Sequence, residues 1–379
     1  MAVLLPGTLT GAGDLVTMGS FDTLFLFQGE RLISTSGTAI TSSAGTKSAD
    51  LYLDGLVYGN VAVNLASSSA GAVDFRVNIG ATGQIIGVNP AIALYAPVAD
   101  GGYLYVDNAG TITSETSFAV YMDRATEAVI KNSGDIKSTG SGSNNNAIIV
   151  TSDSFKLTNS GLISSEISFN STVSTSFATI YTTATTTDIY NSGEIFGHVA
   201  AIHSFNGVEH LTNDGVIRGA INFSDGVGPA ADLLENNGSI FGDIILGTGD
   251  DVVRNSGLIT GAVQMFKGND LLQNTGTIIG TVGFSGGTFA QLNNDGIING
   301  IILVDDLDPI ANQSMRIRNT GDINGDVLIN GPITVEVYND GTINGDLSVD
   351  GDNTRVYNTG TILGVTLGDN GSAYFGSSG

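Results

Sequence analysis

The chain has no cysteine and no tryptophan, only 6 prolines, and only 13 lysines and arginines in 379 residues. Without cysteine there is no disulfide framework, and the fold must rest on packing and hydrogen bonds. Secreted bacterial solenoids and cytosolic proteins both do without disulfides, so this absence does not locate the protein. The 13 basic residues stand against 37 aspartates and glutamates, a formal net charge of −24. That balance argues against nucleic acid and anionic membrane as partners, because basic surfaces hold both. It admits divalent cations, and it suits an extracellular protein kept soluble by self-repulsion. No apolar run approaches the roughly 18 residues of a membrane-spanning helix. The opening Met1-Ala2-Val3-Leu4-Leu5-Pro6 is apolar but short, and the first basic residue is Arg31, so no secretion signal is recognised. An exported protein would carry its signal elsewhere. Stretches longer than about 10 residues without glycine are scarce, which leaves little room for helices.

What the chain has in abundance is glycine, 53 residues, without the every-third spacing of collagen. Its hydrophobic content of 41% and mean hydropathy of +0.20 exclude a disordered chain and suffice for a long, thin core. The glycines belong to a pattern. N-x-G-x-I occurs twelve times, starting at Asn108, Asn132, Asn159, Asn191, Asn213, Asn236, Asn255, Asn274, Asn294, Asn319, Asn339 and Asn358. Gly238, Gly257 and Gly276 are spaced by 19 residues, Gly276 and Gly296 by 20, whereas upstream spacings reach 27 and 32. A period near 20 is the mark of a solenoid with one coil per repeat. Between kernels the apolar residues alternate, as in Ile343, Leu347 and Val349, and β-branched residues dominate, which is the strand signal.

The expected fold is therefore all-β: a single-stranded right-handed parallel β-helix of about 13 coils, each roughly 19–32 residues, with an N-terminal cap. In the kernel, Asn255, Asn274, Asn294, Asn319, Asn339 and Asn358 are expected to stack as an amide ladder. Gly257, Gly276 and Gly296 are expected at corners needing positive φ. Ile259, Ile278 and Ile298 are expected to point inward just after the corner. Residues 1–75 lack the kernel and read as a cap or irregular β region, with an aromatic-aliphatic cluster at Phe21, Leu24, Phe25, Leu26 and Phe27. Ser34 to Ile40 reads as a degenerate corner. The β-helix is expected over 76–379, with Ala81-Thr82-Gly83-Gln84-Ile85 as a worn first repeat. Long coils rich in Ser, Thr and Asn span 140–187 and tight ones 238–379. The long coils read as protruding loops of the kind that carry binding surfaces.

Acidic stretches precede several kernels: Gly247-Thr248-Gly249-Asp250-Asp251-Val252-Val253 before Asn255, and Phe266-Lys267-Gly268-Asn269-Asp270-Leu271-Leu272 before Asn274. With the N-x-G-x-I-x-G kernels, these stretches resemble the β-solenoid segments of bacterial type I-secreted, hemolysin-type calcium-binding (RTX-like) proteins and adhesins. The solenoid part of that resemblance is shared with autotransporter passengers, filamentous-hemagglutinin-like adhesins and phage tail spikes. Gly247, Gly249, Asp251 and Val253 match the second Gly, third Gly, Asp and apolar positions of the RTX repeat G-G-x-G-x-D-x-U-x. Gly268, Asp270 and Leu272 match the last three of these. Leu246 and Phe266 depart from its glycines, and the nonapeptide does not run in tandem here. The resemblance implies calcium as a cofactor, with Asp251, Asp270, Gly249 and Gly268 as candidate metal residues. Asp251 and Asp270 are one 19-residue coil apart, so their charges would stack about 5 Å from each other and a shared cation would relieve the repulsion. The alternative is that they point into water and shape turns.

An enzyme is not expected. Polysaccharide-processing β-helices need converging carboxylates with basic neighbours. Here the only histidines are His198, His203 and His210, Arg316-Ile317-Arg318 has no evident acidic counterpart, and Asp305, Asp306 and Asp308 read as a solvated loop. The leading expectation is a structural, self-assembling extracellular or bacterial cell-surface solenoid: an adhesin stalk, surface layer or fibre subunit. Its partner would be itself, end to end or side by side. The alternative is a calcium-dependent module that binds glycan or host surface through the 140–187 loops; a polysaccharide-processing or tail-spike-like protein comes third.

Overall fold

A computed structural model describes residues 2–375, apart from 69, 98–100, 141–144, 167–177, 225–227, 306–313, 332, 351–352 and 369–371. The chain is an all-β parallel solenoid of about 14 coils, with no helix among the described residues. It divides into two compact units, 1–207 and 208–379.

The coil of the second unit that contains Asn255 shows the construction. It has three strands, Val252–Asn255, Leu258–Thr260 and Val263–Lys267. Each pairs in parallel with its equivalent one coil on: Asn255 with Asn274, Ile259 with Ile278, Val263 with Val282. Side chains alternate, so Val253, Ile259, Val263 and Met265 point inward and are buried, while Arg254 and Gln264 point out. Because each inward position repeats on every coil, the core is a set of stacked columns. The kernel isoleucines form one of them: Ile217, Ile240, Ile259, Ile278, Ile298, Ile323 and Ile343 are all fully buried.

The first unit is built the same way, and its coils begin earlier than the kernel does. Val3–Leu4 pairs with Asp22–Leu26, Leu9–Gly11 with Arg31–Ser34 and Val16–Met18 with Thr38–Ser42. The segment expected as a cap thus consists of regular coils. The kernel is missing there because the place later taken by asparagine is apolar: Leu26, Leu53 and Ile79 are in successive register with one another and with Asn108. All three are buried. The corner at Ser34 is real, but it ends the strand after the asparagine corner and is closed by a hydroxyl: Ser34 Oγ donates to Gly13 O at 2.6 Å and accepts from Gly37 N at 3.0 Å. Of the aromatic cluster, Leu24 and Leu26 enter the core, whereas Phe21 and Phe27 are more than half exposed. The long coils of 140–187 extend their strands, as in Ile148–Asn159, and much of the polar stretch itself lies outside the described residues.

Candidate functional site

The kernel asparagines form the ladder that the sequence suggests. In the first unit Asn108 Nδ2 donates to Asn132 Oδ1 at 2.8 Å, Asn132 to Asn159 at 2.8 Å and Asn159 to Asn191 at 2.7 Å. In the second unit the chain of amides runs from Asn213 through Asn236, Asn255, Asn274, Asn294, Asn319 and Asn339 to Asn358, at 2.6–2.8 Å. Each amide also closes its own corner. Asn255 Nδ2 reaches Gly257 O at 3.2 Å and Thr277 O at 3.2 Å, and Asn255 O accepts from Thr275 N and Gly276 N of the next coil. A buried primary amide has two donor hydrogens and an acceptor oxygen to satisfy, and this corner satisfies them all.

The kernel glycines serve the ladder in a different way from the one expected. Gly257, Gly276 and Gly296 are not among the residues with positive φ; that conformation falls on the second glycine of N-x-G-x-I-x-G in some coils, at Gly219, Gly242, Gly261 and Gly280, and not at Gly300, Gly325 or Gly345. The kernel glycine is needed because the coils approach too closely for a side chain. A Cβ on Gly257 would collide with the carbonyl oxygen of Gly238, one on Gly276 with that of Gly257, and one on Gly296 with that of Gly276. Since the obstacle is backbone hydrogen-bonded into the ladder, it cannot swing aside. Gly257→Ala is expected to cost about 1–3 kcal/mol, read from the denaturant midpoint; an unchanged midpoint would show that the corner relaxes.

Asp251 and Asp270 lie inside the coil. They are 0% and 2% exposed. Asp251 Oδ1 accepts the backbone N–H of Asp232 at 2.9 Å, and Asp270 Oδ1 accepts that of Asp251 at 3.1 Å. Asp232 Oδ1 in turn accepts from Glu209 N at 2.9 Å. Four acids, Glu209, Asp232, Asp251 and Asp270, therefore occupy one buried column, each four residues before a kernel asparagine. Burial is the main cause that pushes the Asp270 carboxyl up to about 7, and the charges of Asp251 and Asp250 add to it against the hydrogen bond from Asp251 N. The next positions of the column are Ala290 and Met315. Neither Glu209 nor Asp232 was singled out by motif; reading the position four residues before each kernel Asn finds both.

The backbone already engages these acids. Calcium takes about 6–8 oxygens, but here one oxygen of each aspartate caps a backbone amide. The Asp251 and Asp270 carbonyls are also engaged, by Leu271 N and Gln291 N at 2.8 Å each. Gly249 and Gly268 pack against the carbonyls of Ala230 and Gly249, another stacking requirement. No group of three or more His, Asp or Glu side chains placed to hold a metal ion occurs among the described residues. On the outside of the same turns, Asp250 Oδ1 accepts from Asn269 N and Nδ2 at 2.8 and 3.1 Å.

The remaining candidates separate. His203 is buried edge-on against Tyr181 and Phe205, whereas His198 and His210 are exposed. Arg316 has an acidic counterpart after all: Glu336, in register one coil on, at 3.0 Å. Asp306 and Asp308 lie outside the described residues. No family model, no curated protein and no solved structure matches the chain.

Proposed function

We propose that the chain is a structural solenoid that assembles with copies of itself, as a stalk, surface layer or fibre subunit outside the cell or on its surface. The observation that carries the assembly is a second, external amide ladder. Asn324 Nδ2 donates to Asn299 Oδ1 and Asn344 Nδ2 to Asn324 Oδ1, both at 2.7 Å on the exposed face. Ile279 is in register with Asn299, which Ile297 and Ile301 flank two residues away on either side in the chain; these three isoleucines are 38–43% exposed. Apolar side chains beside amides that repeat at the strand spacing are complemented by a surface with the same repeat, as in the interfaces between stacked sheets. A second copy supplies that repeat. The extracellular setting is supported by the charge of −24 and by the resemblance to secreted adhesins. No described helix is long and apolar enough to cross a membrane. We further propose that calcium stabilises the assembly, as the resemblance implies, at outward acidic turns such as that of Asp250, since Asp251 and Asp270 are buried and hold backbone amides.

Sedimentation over a wide concentration range, with calcium in the millimolar range of weak extracellular sites and with chelator, tests both parts. Large ordered particles that grow with concentration are expected. Ile297→Lys, which places a charge in the isoleucine patch, should weaken association at least about tenfold, or roughly 1.4 kcal/mol. A monomer at every concentration, for wild type and variant alike, overturns assembly. Identical sedimentation in calcium and chelator removes calcium.

A further inference from the structure

A trough of about 650 Å³ lies on a different face of the second unit, over the outer side of strands Leu271–Asn274, Phe289–Asn294 and Ser314–Asn319. Outward positions are in register across it: Gln273 with Asn293 with Arg318, and Gln291 with Arg316. Its chemistry is unusual for so acidic a chain. Gln273, Gln291 and Asn293 line it with neutral amides, Gln291 Nε2 donating to Asn293 Oδ1 at 2.9 Å. Arg316 is held by Glu336. Arg318 makes no ion pair with a described carboxylate; its guanidinium lies 5.5 Å from the Tyr338 ring centre. Thr320 and Asp295 close the rim, with Thr320 Oγ1 donating to Asp295 Oδ1 at 2.6 Å. Beyond Arg318 the same column continues as Tyr338 and Tyr357, whose rings stack at 4.9 Å and 9°.

The lining specifies a ligand with both charge and hydroxyls. An arginine fork in need of an anion selects carboxylate, sulfate or phosphate. The amides and Asp295 call for hydroxyl donors, which an inorganic anion lacks, and the paired tyrosines offer an apolar surface to the C–H face of a sugar ring. A uronic acid residue carries all three features. The trough runs across successive coils, so it suits a polymer better than a single sugar. Net negative charge does not forbid an anionic polymer, because charges more than about 8 Å away are largely screened at physiological salt. Locally the face carries Arg254, Arg316, Arg318 and Arg355 against Glu235, Asp295 and Glu336. We propose that this trough binds an acidic polysaccharide built of uronic acid residues, with Arg318 holding a sugar carboxylate, Gln273 and Asn293 reading hydroxyls, and the Tyr338–Tyr357 pair supporting the chain. This site is distinct from the 140–187 loops and independent of self-assembly.

The test is titration calorimetry of the full chain with polygalacturonate oligomers, with neutral dextran oligomers as control, below the concentration at which particles form. Saturable, salt-sensitive binding of the uronate oligomer alone is expected. Arg318→Ala should weaken it at least about tenfold, the equivalent of one charge-assisted pair, and Arg318→Lys should recover part of the loss. Because Arg318 is exposed, the melting temperature should stay unchanged; Asn293→Ala, expected to lose several-fold, decides the matter if Arg318→Ala does not fold. Absence of uronate binding, equal binding of dextran, or equal affinity of wild type and both variants overturns the proposal. The titration stands whether or not the protein assembles, so its failure is separable from a failure of the structural reading.

Discussion

Asn274→Ala is expected to lower the stability of the second unit by about 3–5 kcal/mol, a large effect for a single side chain. The reason lies in how many groups depend on that amide. Asn274 Nδ2 donates to Asn294 Oδ1 at 2.7 Å and bridges to Gly276 O and Ile297 O at 3.3 and 3.2 Å, while its own Oδ1 accepts from Asn255 Nδ2 at 2.8 Å. The substitution leaves the Oδ1 of Asn294 without its donor and breaks the bond from Asn255. It does so where the neighbours are 0–2% exposed and water cannot substitute. Each stranded buried polar group costs about 1–3 kcal/mol. Asn274→Asp, nearly identical in shape, should be worse still, because a carboxylate oxygen would face Asn294 Oδ1 and a charge would be buried unpaired. Asn358, at 8% exposure, should lose less on the same change to alanine. Denaturant titrations of the three variants decide it: a loss below about 1 kcal/mol for Asn274→Ala would mean that packing, and not the amide ladder, holds the corners.

The order of these effects also explains what could be read in the sequence. The kernel was legible because each of its residues meets a requirement that recurs on every coil and that one residue type satisfies. Only an amide both donates and accepts along the stack, only glycine clears the carbonyl of the coil before, and isoleucine fills the inward place after the corner. The coils over Val3–Ala66 were not legible by the same signal, since Leu26 and Leu53 fill the asparagine position and leave no polar mark. The acidic column was half legible. Asp251 and Asp270 stand out in the sequence as candidate calcium residues or turn residues, but their inward direction follows only from the strand register that places them in phase with Val253 and Leu272. The trough was not legible at all. Outward positions carry no packing requirement, so the column Arg254, Gln273, Asn293, Arg318, Tyr338 changes type at each coil and shows no period. For the same reason Glu336, 20 residues from Arg316, could be identified as its partner only once the coils were aligned.

Buried Asp270 makes stability depend on pH in the direction opposite to that of an ion-paired surface carboxylate. A surface carboxylate in an ion pair has a lowered pKa and contributes stability that is lost as pH falls. Asp270 is the reverse case. Its carboxyl is raised from about 3.8 to about 7 by burial first, with the nearby Asp251 and Asp250 charges adding to the shift. The folded state therefore holds a proton between these values that the unfolded state has released. Asp270's contribution is complete below about pH 4 and is lost as pH rises through about 7; by pH 8 the loss is on the order of 3–4 kcal/mol. Asp270→Asn isolates the effect. The amide keeps an oxygen to accept the Asp251 N–H and carries no charge at any pH. The variant should match wild type at pH 4 and exceed it by up to those few kcal/mol at pH 8, flattening the wild-type decline in between. Chemical denaturation at pH 4, 6 and 8 measures both curves. A wild-type stability that does not fall from pH 4 to 8, or an asparagine variant that follows it unchanged, would show that the Asp270 carboxylate is ionised inside the coil and that the stacked acids share their charge with a bound cation or water.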